Sequence, residues 1–146
     1  MDSITIYICT YHEEDNINGC INSIKRNGYD NIVIIDASKN ENTRNRAEEV
    51  SVKVFKAPKG LAGQRQVAID DCNSEYLMFV DADDRLGKNC IDTLLQELNE
   101  NHYDAIQASV RVLNPKTYWE KGMDVNLTYC INGLGRTNML GRPAIY

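Results

Sequence analysis

Three carboxylates in four consecutive positions, Asp81-Ala82-Asp83-Asp84, are the side chains of this sequence best placed to do chemistry. Acids this close together repel one another, unless a cation binds among them or all three stay fully solvated. The Asp81-x-Asp83 pair can take a divalent cation through hard oxygen ligands, and that cation would neutralise a diphosphate. The motif therefore predicts either a metal and phosphate site or an acidic surface turn, and by itself it favours neither.

The residues that precede these acids, Tyr76 to Val80, form a short apolar run. A run of this length predicts a strand that is buried on both faces. In open α/β sheets, ligands bind just outside the carboxyl ends of the strands. The three acids therefore stand where the functional site of such a fold is expected.

Two earlier predicted strands also end in polar side chains. The first, Ile4 to Thr10, is followed by Tyr11, and the second, Asn31 to Asp36, ends in an acid. In a parallel sheet these strand ends converge on one edge. A threonine, an aromatic ring and a carboxylate together suit a nucleobase, because Tyr11 can stack on the ring and Asp36 can accept a hydrogen bond from a base N–H.

Arg65 stands near the start of a predicted helix, after Gly60 and Gly63, and from there its guanidinium can reach the same anion. Each of these assignments has a structural alternative. Tyr11 is equally well explained as a packed rim residue, Asp36 as the cap of the following turn, and Arg65 as a surface residue. Their arrangement at successive strand ends is what favours the nucleotide site.

Strands and helices alternate from the start of the chain to Leu113. The predicted strands cover residues 4–10, 31–36, 52–55, 76–80 and 103–113, and the predicted helices cover 17–26, 43–50, 61–72 and 91–98. Thr43 is expected to cap the second helix, and Leu61, Ala68 and Cys72 lie on one face of the third. The alternation predicts an α/β fold, with a largely parallel sheet and helices on both faces.

From Asn114 onward the pattern is weak, and it predicts a loop or a short helix. Pro143 to Tyr146 has the character of a further element that is just beginning. With 146 residues the chain has the size of one domain with a substantial core.

The composition of the chain argues against several classes of function. The formal net charge is −5 and there is no basic stripe, which argues against nucleic acid as a partner. No apolar run is long enough for a transmembrane segment, and no signal-peptide pattern opens the chain. The five cysteines show neither a CxxC pair nor zinc-ligand spacing, so we expect buried thiols in a reducing cytoplasm.

Four segments, in this order, resemble the amino-terminal half of family 2 glycosyltransferases, whose fold is the GT-A (Rossmann-like) fold. They are Ile4 to Ile24 with its Thr-Tyr-x-Glu step, Val33 to Ser38, Gly60 to Gln66, and Phe79 to Asp84. The set spans about the first two-thirds of the chain. No single segment is specific, whereas the ordered set is.

The resemblance implies a nucleotide-diphospho-sugar donor, with a UDP-sugar favoured, and a saccharide or glycan-precursor acceptor. Thr10, Tyr11 and Asp36 match the family's nucleoside-binding positions. Asp81 matches the acid near the ribose or sugar, and Asp83 matches the ligand of Mn²⁺ or Mg²⁺. Family members usually invert the anomeric centre by direct displacement, while an enzyme carboxylate deprotonates the acceptor hydroxyl and the metal stabilises the departing diphosphate.

Four positions depart from the family pattern. His12 replaces the usual Asn and Cys9 a common Pro. Ile35 stands where a paired acid is often found, and Gln66 where Asn is usual. These departures leave the nucleotide preference open.

The family's catalytic acid follows a segment like Gly141 to Tyr146, so the base is expected beyond Tyr146. On this expectation, residues 1–113 are the donor-binding half of a GT-A domain and residues 114–146 begin an acceptor-side segment that is truncated. Core left uncovered by a missing half would favour a homodimer through that surface.

Two alternatives from other classes stay open. The first is a non-catalytic nucleotide-sugar-binding module, which the missing base favours. The second is a phosphatase of the haloacid dehalogenase type, which would use Asp81 as a covalent nucleophile. In that class the acidic strand normally opens the domain, whereas here it comes fourth and continues into Asp84-Arg85. P-loop and dinucleotide-binding folds lack their glycine motifs here.

Overall fold

The computed structural model describes residues 3–50, 52–131, 141 and 143–146. Its strands are β1 (Ile4–Thr10), β2 (Ile32–Asp36), β3 (Lys53–Lys56), β4 (Tyr76–Asp81), β5 (Ile106–Gln107) and β6 (Ala144–Ile145). Its helices are α1 (Ile17–Lys25), α2 (Asn42–Glu48), α3 (Leu61–Asp71), α4 (Cys90–Asn101) and α5 (Tyr118–Asn126), and a π-helical segment, Leu127–Ile131, continues α5. None of the helices described is long and apolar enough to cross a bilayer.

These strands form one sheet in the order β3-β2-β1-β4-β6-β5. β1 pairs in parallel with β2 and with β4, and β2 pairs in parallel with β3. β6 is antiparallel to both of its neighbours, β4 and β5. The predicted α/β class with a largely parallel sheet is confirmed, and the antiparallel β6 makes the sheet a mixed one.

Helices cover both faces of the sheet, as predicted. On one face, α1, α2 and α4 pack on alternate residues of the central strands, among them Ile6, Ile8, Ile34, Met78 and Val80. On the other face α3 packs on the intervening residues, Tyr7, Val33, Ile35 and Phe79. β-Branched residues dominate β1 and β2 because their stiff side chains fit a pleated surface that is buried on both sides.

The predicted apolar stripes of α1 and α4 are the faces that the structure buries. In α1 the buried apolar residues are Ile17, Cys20, Ile21 and Ile24. In α4 they are Ile91, Leu94, Leu95 and Leu98. Both sets follow the i, i+3, i+4, i+7 spacing that places side chains on one side of a helix.

The predicted fifth strand, residues 103–113, is wrong in extent, since only Ile106–Gln107 is a strand. Its partner is β6, with Ile106 opposite Ile145 and Gln107 opposite Ala144. β6 also pairs with β4 and so separates β4 from β5. Local patterning around residue 106 contains no sign of a partner that comes so much later in the chain. The further element that was expected at Pro143 to Tyr146 is β6.

The start of α2 differs from expectation, whereas α5 is a short helix, one of the two alternatives expected after Asn114. Thr43 does not cap α2, because its hydroxyl accepts from the Glu13 N–H at 3.0 Å and Glu41 occupies the N-cap position. The weakly patterned segment after Asn114 contains α5, which Thr117 and Glu120 begin with a capping box. That box satisfies two backbone N–H groups, so it fixes the start of a helix that has no buried face of its own.

Candidate functional site

The register of the sheet brings three strand ends to one edge. Thr10 at the end of β1 is directly opposite Asp36 at the end of β2. Cys9, one residue earlier, is opposite Asp81 at the end of β4. The parallel pairing therefore places the predicted nucleoside-binding and acidic positions side by side.

Asp36 is the centre of a buried hydrogen-bond network. Its Oδ1 accepts from the Thr10 hydroxyl at 2.8 Å and from the Ser38 hydroxyl at 2.6 Å. Its Oδ2 accepts from Arg44 Nη1 at 2.6 Å in an ion pair. Asp36 has no exposed surface and Thr10 is 1% exposed. In this conformation both side chains are buried, and their hydrogen bonds stabilise the loops that follow β1 and β2. Their contact with a nucleoside stays a prediction.

Ser38 extends this network to the loop after β1. Its hydroxyl accepts from the backbone N–H of His12 at 2.8 Å, and its carbonyl accepts from Arg44 at 3.2 Å. His12 has a φ of 60°, in the left-handed region where a non-glycine residue is strained. The network therefore fixes an unfavourable backbone turn directly beside Tyr11.

Gln64 joins the ends of β1 and β2 from α3. Its side-chain Nε2 donates to the carbonyl of Thr10 at 2.9 Å and to the carbonyl of Ile35 at 2.7 Å. The predicted face of α3 was wrong at Leu61, which is exposed, whereas Gln64 and Ala68 are the buried residues. The sequence offered no sign of this role, because a glutamine in a helix is usually a surface residue.

Tyr11 is half-buried at the same edge. The Lys59 ammonium lies 4.2 Å from the centre of its ring, and the His12 ring contacts it edge-on at a centroid distance of 4.4 Å. The ring predicted for stacking is thus paired with the cation of Lys59, which no sequence pattern indicated. A nucleotide bound beside Tyr11 would meet the positive charge of Lys59.

Arg65 is half-buried on the face of the sheet that α3 covers. Its guanidinium lies 5.3 Å from the centre of the Phe79 ring. Phe79 precedes Asp81 by two residues on β4, so both side chains project from the same face. Arg65 Nε is buried, and it has no hydrogen-bond partner among the described residues. A buried N–H without an acceptor is costly, so this atom is suited to receive an anionic ligand.

The acidic loop is a tight turn. The Asp84 N–H donates to the Asp81 carbonyl at 3.0 Å, and Asp84 Oδ2 accepts from the Asp81 N–H at 3.3 Å. Asp83 stands at the exposed tip of this turn, and Asp81 is half-buried. Within the described ranges, no group of three or more His, Cys, Asp or Glu side chains is placed to hold a metal ion.

This donor set fits a divalent cation that is shared with a substrate. Mg²⁺ usually binds through one or two carboxylates together with substrate phosphates and waters. Asp83 can supply the exposed carboxylate, and a diphosphate beside Arg65 would supply the remaining oxygens. The residues present therefore suit a metal that arrives with a nucleotide rather than one held by the protein alone.

A cavity of about 520 Å³ opens beside the acidic turn. Asp83 and Asp84 line one side of it, and residues 108–114 line the other. The space adjoins Asp83, the predicted metal ligand. Its volume lies within the range of small-molecule sites.

The sequence profile of glycosyl transferase family 2 matches residues 5–140, which is most of the chain. The chain belongs to glycosyl transferase family 2. An uncharacterised glycosyltransferase of Rickettsia felis is 29% identical over 118 residues, covering 78% of this chain and 41% of that protein. The family 2 chain thus spans about two fifths of the length of this relative.

Two solved structures share the family 2 fold. Staphylococcus aureus TarS 1–349 in complex with UDP-GlcNAc has a TM-score of 0.64 at 21% identity, covering 80% of this chain and 36% of TarS 1–349. The mannosyltransferase PcManGT of Pyrobaculum calidifontis, in complex with GDP-Man and Mn²⁺, has a TM-score of 0.64 at 19% identity. The match covers 75% of this chain and 35% of PcManGT. These similarities confirm the GT-A fold.

Proposed function

We propose that this chain binds a nucleotide-diphospho-sugar at the carboxyl ends of β1, β2 and β4, as the donor site of a glycosyltransferase. The observation that carries the proposal is the buried Nε of Arg65. It lacks an acceptor among the described residues, and it lies on the sheet face from which Asp81 projects. A diphosphate held there would satisfy Arg65 and would reach the exposed Asp83.

The favoured donor is a UDP-sugar, and the acceptor is a hydroxyl of a saccharide or glycan precursor. TarS has been solved with UDP-GlcNAc and PcManGT with GDP-Man and Mn²⁺, which supports a nucleotide-sugar donor and a divalent cation. Asp83 is the proposed ligand of Mn²⁺ or Mg²⁺, and Asp81 the acid near the ribose or sugar. The donor-binding part is residues 1–113, and residues 114–146 begin the acceptor side.

The proposed chemistry is a direct displacement that inverts the anomeric centre. A bound divalent cation would supply charge stabilisation for the departing diphosphate. Arg65 orients the diphosphate through charge-assisted hydrogen bonds, and Tyr11 with Lys59 borders the nucleoside. The base that accepts the proton of the attacking hydroxyl is proposed to lie outside the residues described.

Calorimetric titration of UDP, with and without Mn²⁺, tests the donor site. We expect Mn²⁺ to strengthen UDP binding, and Asp83→Ala to remove that gain. Asp104→Ala is the matched control, because Asp104 is exposed and precedes β5 at the opposite edge of the sheet. If neither UDP, GDP, dTDP nor CDP binds the folded protein, the donor-site proposal is wrong.

The two alternatives are separated by turnover. The phosphatase alternative has no support from the family match, and release of phosphate from an aryl phosphate that Asp81→Asn abolishes would be needed to revive it. A binding module without catalysis would bind the sugar nucleotide in the full-length protein but would not cleave it. Cleavage of the sugar–phosphate bond by the full-length protein would support the transferase.

A further inference from the structure

The acidic turn is attached to α1 by backbone groups at both of its ends. At its start, the Cys20 thiol lies 3.4 Å from the Asp81 carbonyl, to which it donates. At its end, the backbone N–H of Leu86 donates to the Ser23 hydroxyl at 3.0 Å. Burial raises the pKa of the Cys20 thiol to about 12, so the thiol keeps the proton that it donates. α1 is therefore the surface on which the turn rests.

Between these two attachments, Arg85 lies against Gly19 of α1. A Cβ atom at position 19 would lie 2.5–2.6 Å from the guanidinium atoms of Arg85. Gly19 is the third residue of α1 and lies in its first turn. Its φ lies outside the positive region, so the backbone does not require glycine here, whereas a Cβ would fit only if the Arg85 guanidinium moved away.

The same guanidinium holds the carbonyls of the two residues that flank the predicted metal ligand. Arg85 Nη1 donates to the Ala82 carbonyl at 3.2 Å and to the Asp84 carbonyl at 2.8 Å. These carbonyls belong to the residues immediately before and after Asp83. One side chain thus fixes the backbone on both sides of the exposed carboxylate.

We propose that Arg85, seated on Gly19, is a positioning residue for the metal-binding turn. It holds Asp83 in the conformation that a divalent cation and a diphosphate require. The inference rests on the proposed function, because it takes Asp83 as the metal ligand. Neither Arg85 nor Gly19 touches the metal or the donor in this proposal.

The physical reason is the cost of ordering a turn that contains three acids. Asp81, Asp83 and Asp84 repel one another in the absence of a cation, which favours open conformations. Arg85 opposes that repulsion by its charge, and it restricts the turn by its two hydrogen bonds. The conformational entropy of the turn is then lost on folding rather than on metal binding, and the metal binds more tightly.

Arginine and lysine differ in this role. The planar guanidinium can lie flat on the glycine and donate twice from one nitrogen, whereas an ammonium is a point charge on a flexible stem. A role in charge neutralisation alone would be retained by Arg85→Lys. A role in positioning would be lost in large part.

The experiment measures Mn²⁺ affinity in the presence of saturating UDP, from the electron paramagnetic resonance signal of free Mn²⁺. UDP affinity without metal is measured in parallel by calorimetry. We expect Arg85→Lys and Arg85→Ala to weaken Mn²⁺ binding about tenfold, as is typical when support of a metal ligand is lost. Metal-free UDP affinity should stay unchanged. Wild-type Mn²⁺ affinity in Arg85→Lys would overturn the positioning role.

Gly19→Ala tests the same contact from the other side, with Gly122→Ala of α5 as the matched control. A Cβ at Gly122 meets nothing within 4 Å, so that variant should keep wild-type Mn²⁺ affinity. Gly19→Ala should weaken Mn²⁺ binding, and the double variant Gly19→Ala/Arg85→Ala should show no further loss beyond Arg85→Ala. Additive losses in the double variant would contradict the contact. If Arg85→Ala does not fold, Arg85→Lys and Gly19→Ala carry the test.

Asp83→Ala distinguishes failure of this inference from failure of the proposed function. If Asp83→Ala abolishes Mn²⁺ binding while Arg85→Lys and Gly19→Ala leave it intact, the positioning role is wrong and the metal site stands. If Asp83→Ala leaves Mn²⁺ binding intact, the metal site itself is misassigned, and the positioning role falls with it.

Discussion

Arg44 donates from Nη1 to Oδ2 of Asp36 across 2.6 Å, and the Asp36 side chain is fully buried. Breaking such a pair by removing one partner leaves a buried charge and costs about 3–5 kcal/mol. We therefore expect Arg44→Met to lower the free energy of unfolding by about that amount. Urea denaturation measures it, with Arg46→Met on the exposed side of α2 as the control.

The double variant Arg44→Met/Asp36→Asn distinguishes the interaction energy of the ion pair from the effect of each single substitution. Removing both charges should cost less than the sum of the two single changes, because no unpaired charge is left behind. Full additivity in the same denaturation experiment would contradict a direct ion pair.

Gln64 joins the ends of β1 and β2 and is buried from solvent. Gln64→Leu keeps most of the side-chain volume but removes both donations, so the Thr10 and Ile35 carbonyls lose a buried donor. We expect destabilisation of about 1–3 kcal/mol and weaker UDP binding, because Tyr11 and Arg65 flank this contact. Thermal unfolding and calorimetry measure the two effects. Gln96→Leu, at an exposed position of α4, should change neither.

Arg65 is expected to favour ligand binding at the expense of stability. Arg65→Met removes a buried N–H that lacks an acceptor, so the free energy of unfolding should hold or rise. UDP affinity should fall about tenfold or more, as expected for a lost charge-assisted hydrogen bond. Loss of stability together with unchanged UDP affinity would mean that Arg65 is a packing residue over Phe79.

The ion pair between Arg111 and Asp124 predicts a specific pH dependence. Hydrogen bonds from Arg111 and from the Val112 N–H hold the pKa of Asp124 at about 2, below its ordinary 3.8. A depressed carboxyl pKa stabilises the fold above the ordinary value and loses that contribution as pH falls through the lowered value. The stability difference between wild type and Asp124→Asn should be constant above pH 5 and shrink between about pH 4 and pH 2. Chemical denaturation across this range measures it, and a difference that does not change with pH would contradict the pairing.

Much of the architecture could be predicted from the sequence because its signals are local. The isoleucine-rich strands, the stripes of α1 and α4 and the strand-terminal acids each lie within one segment. An element at residues 143–146 was expected, but neither its pairing as β6 nor the shortening of β5 could be predicted, because that pairing joins residues that are distant along the chain. The antiparallel position of β6 between β4 and β5 depends on which strands pair, and the local periodicity of a sequence contains no information about pairing.

The candidate site divides in the same way. Thr10, Asp36 and Asp81 were predicted to converge, and the parallel register does bring those positions together. Arg44, Gln64 and Lys59 were missed, because a polar side chain in a helix or turn has no sequence signal for burial or for a partner in another element. The support of the acidic turn by Gly19 and Arg85 was missed for the same reason.

The most direct test of the donor site is paramagnetic broadening in ¹H–¹⁵N spectra of the labelled protein. With UDP present, substoichiometric Mn²⁺ should broaden the amides of residues 81–86, 10–12 and 36–38, and spare those of residues 73–76 at the opposite end of β4. Asp83→Ala should remove the broadening. Broadening centred elsewhere, or the same pattern in Asp83→Ala, would contradict a donor site at these strand ends.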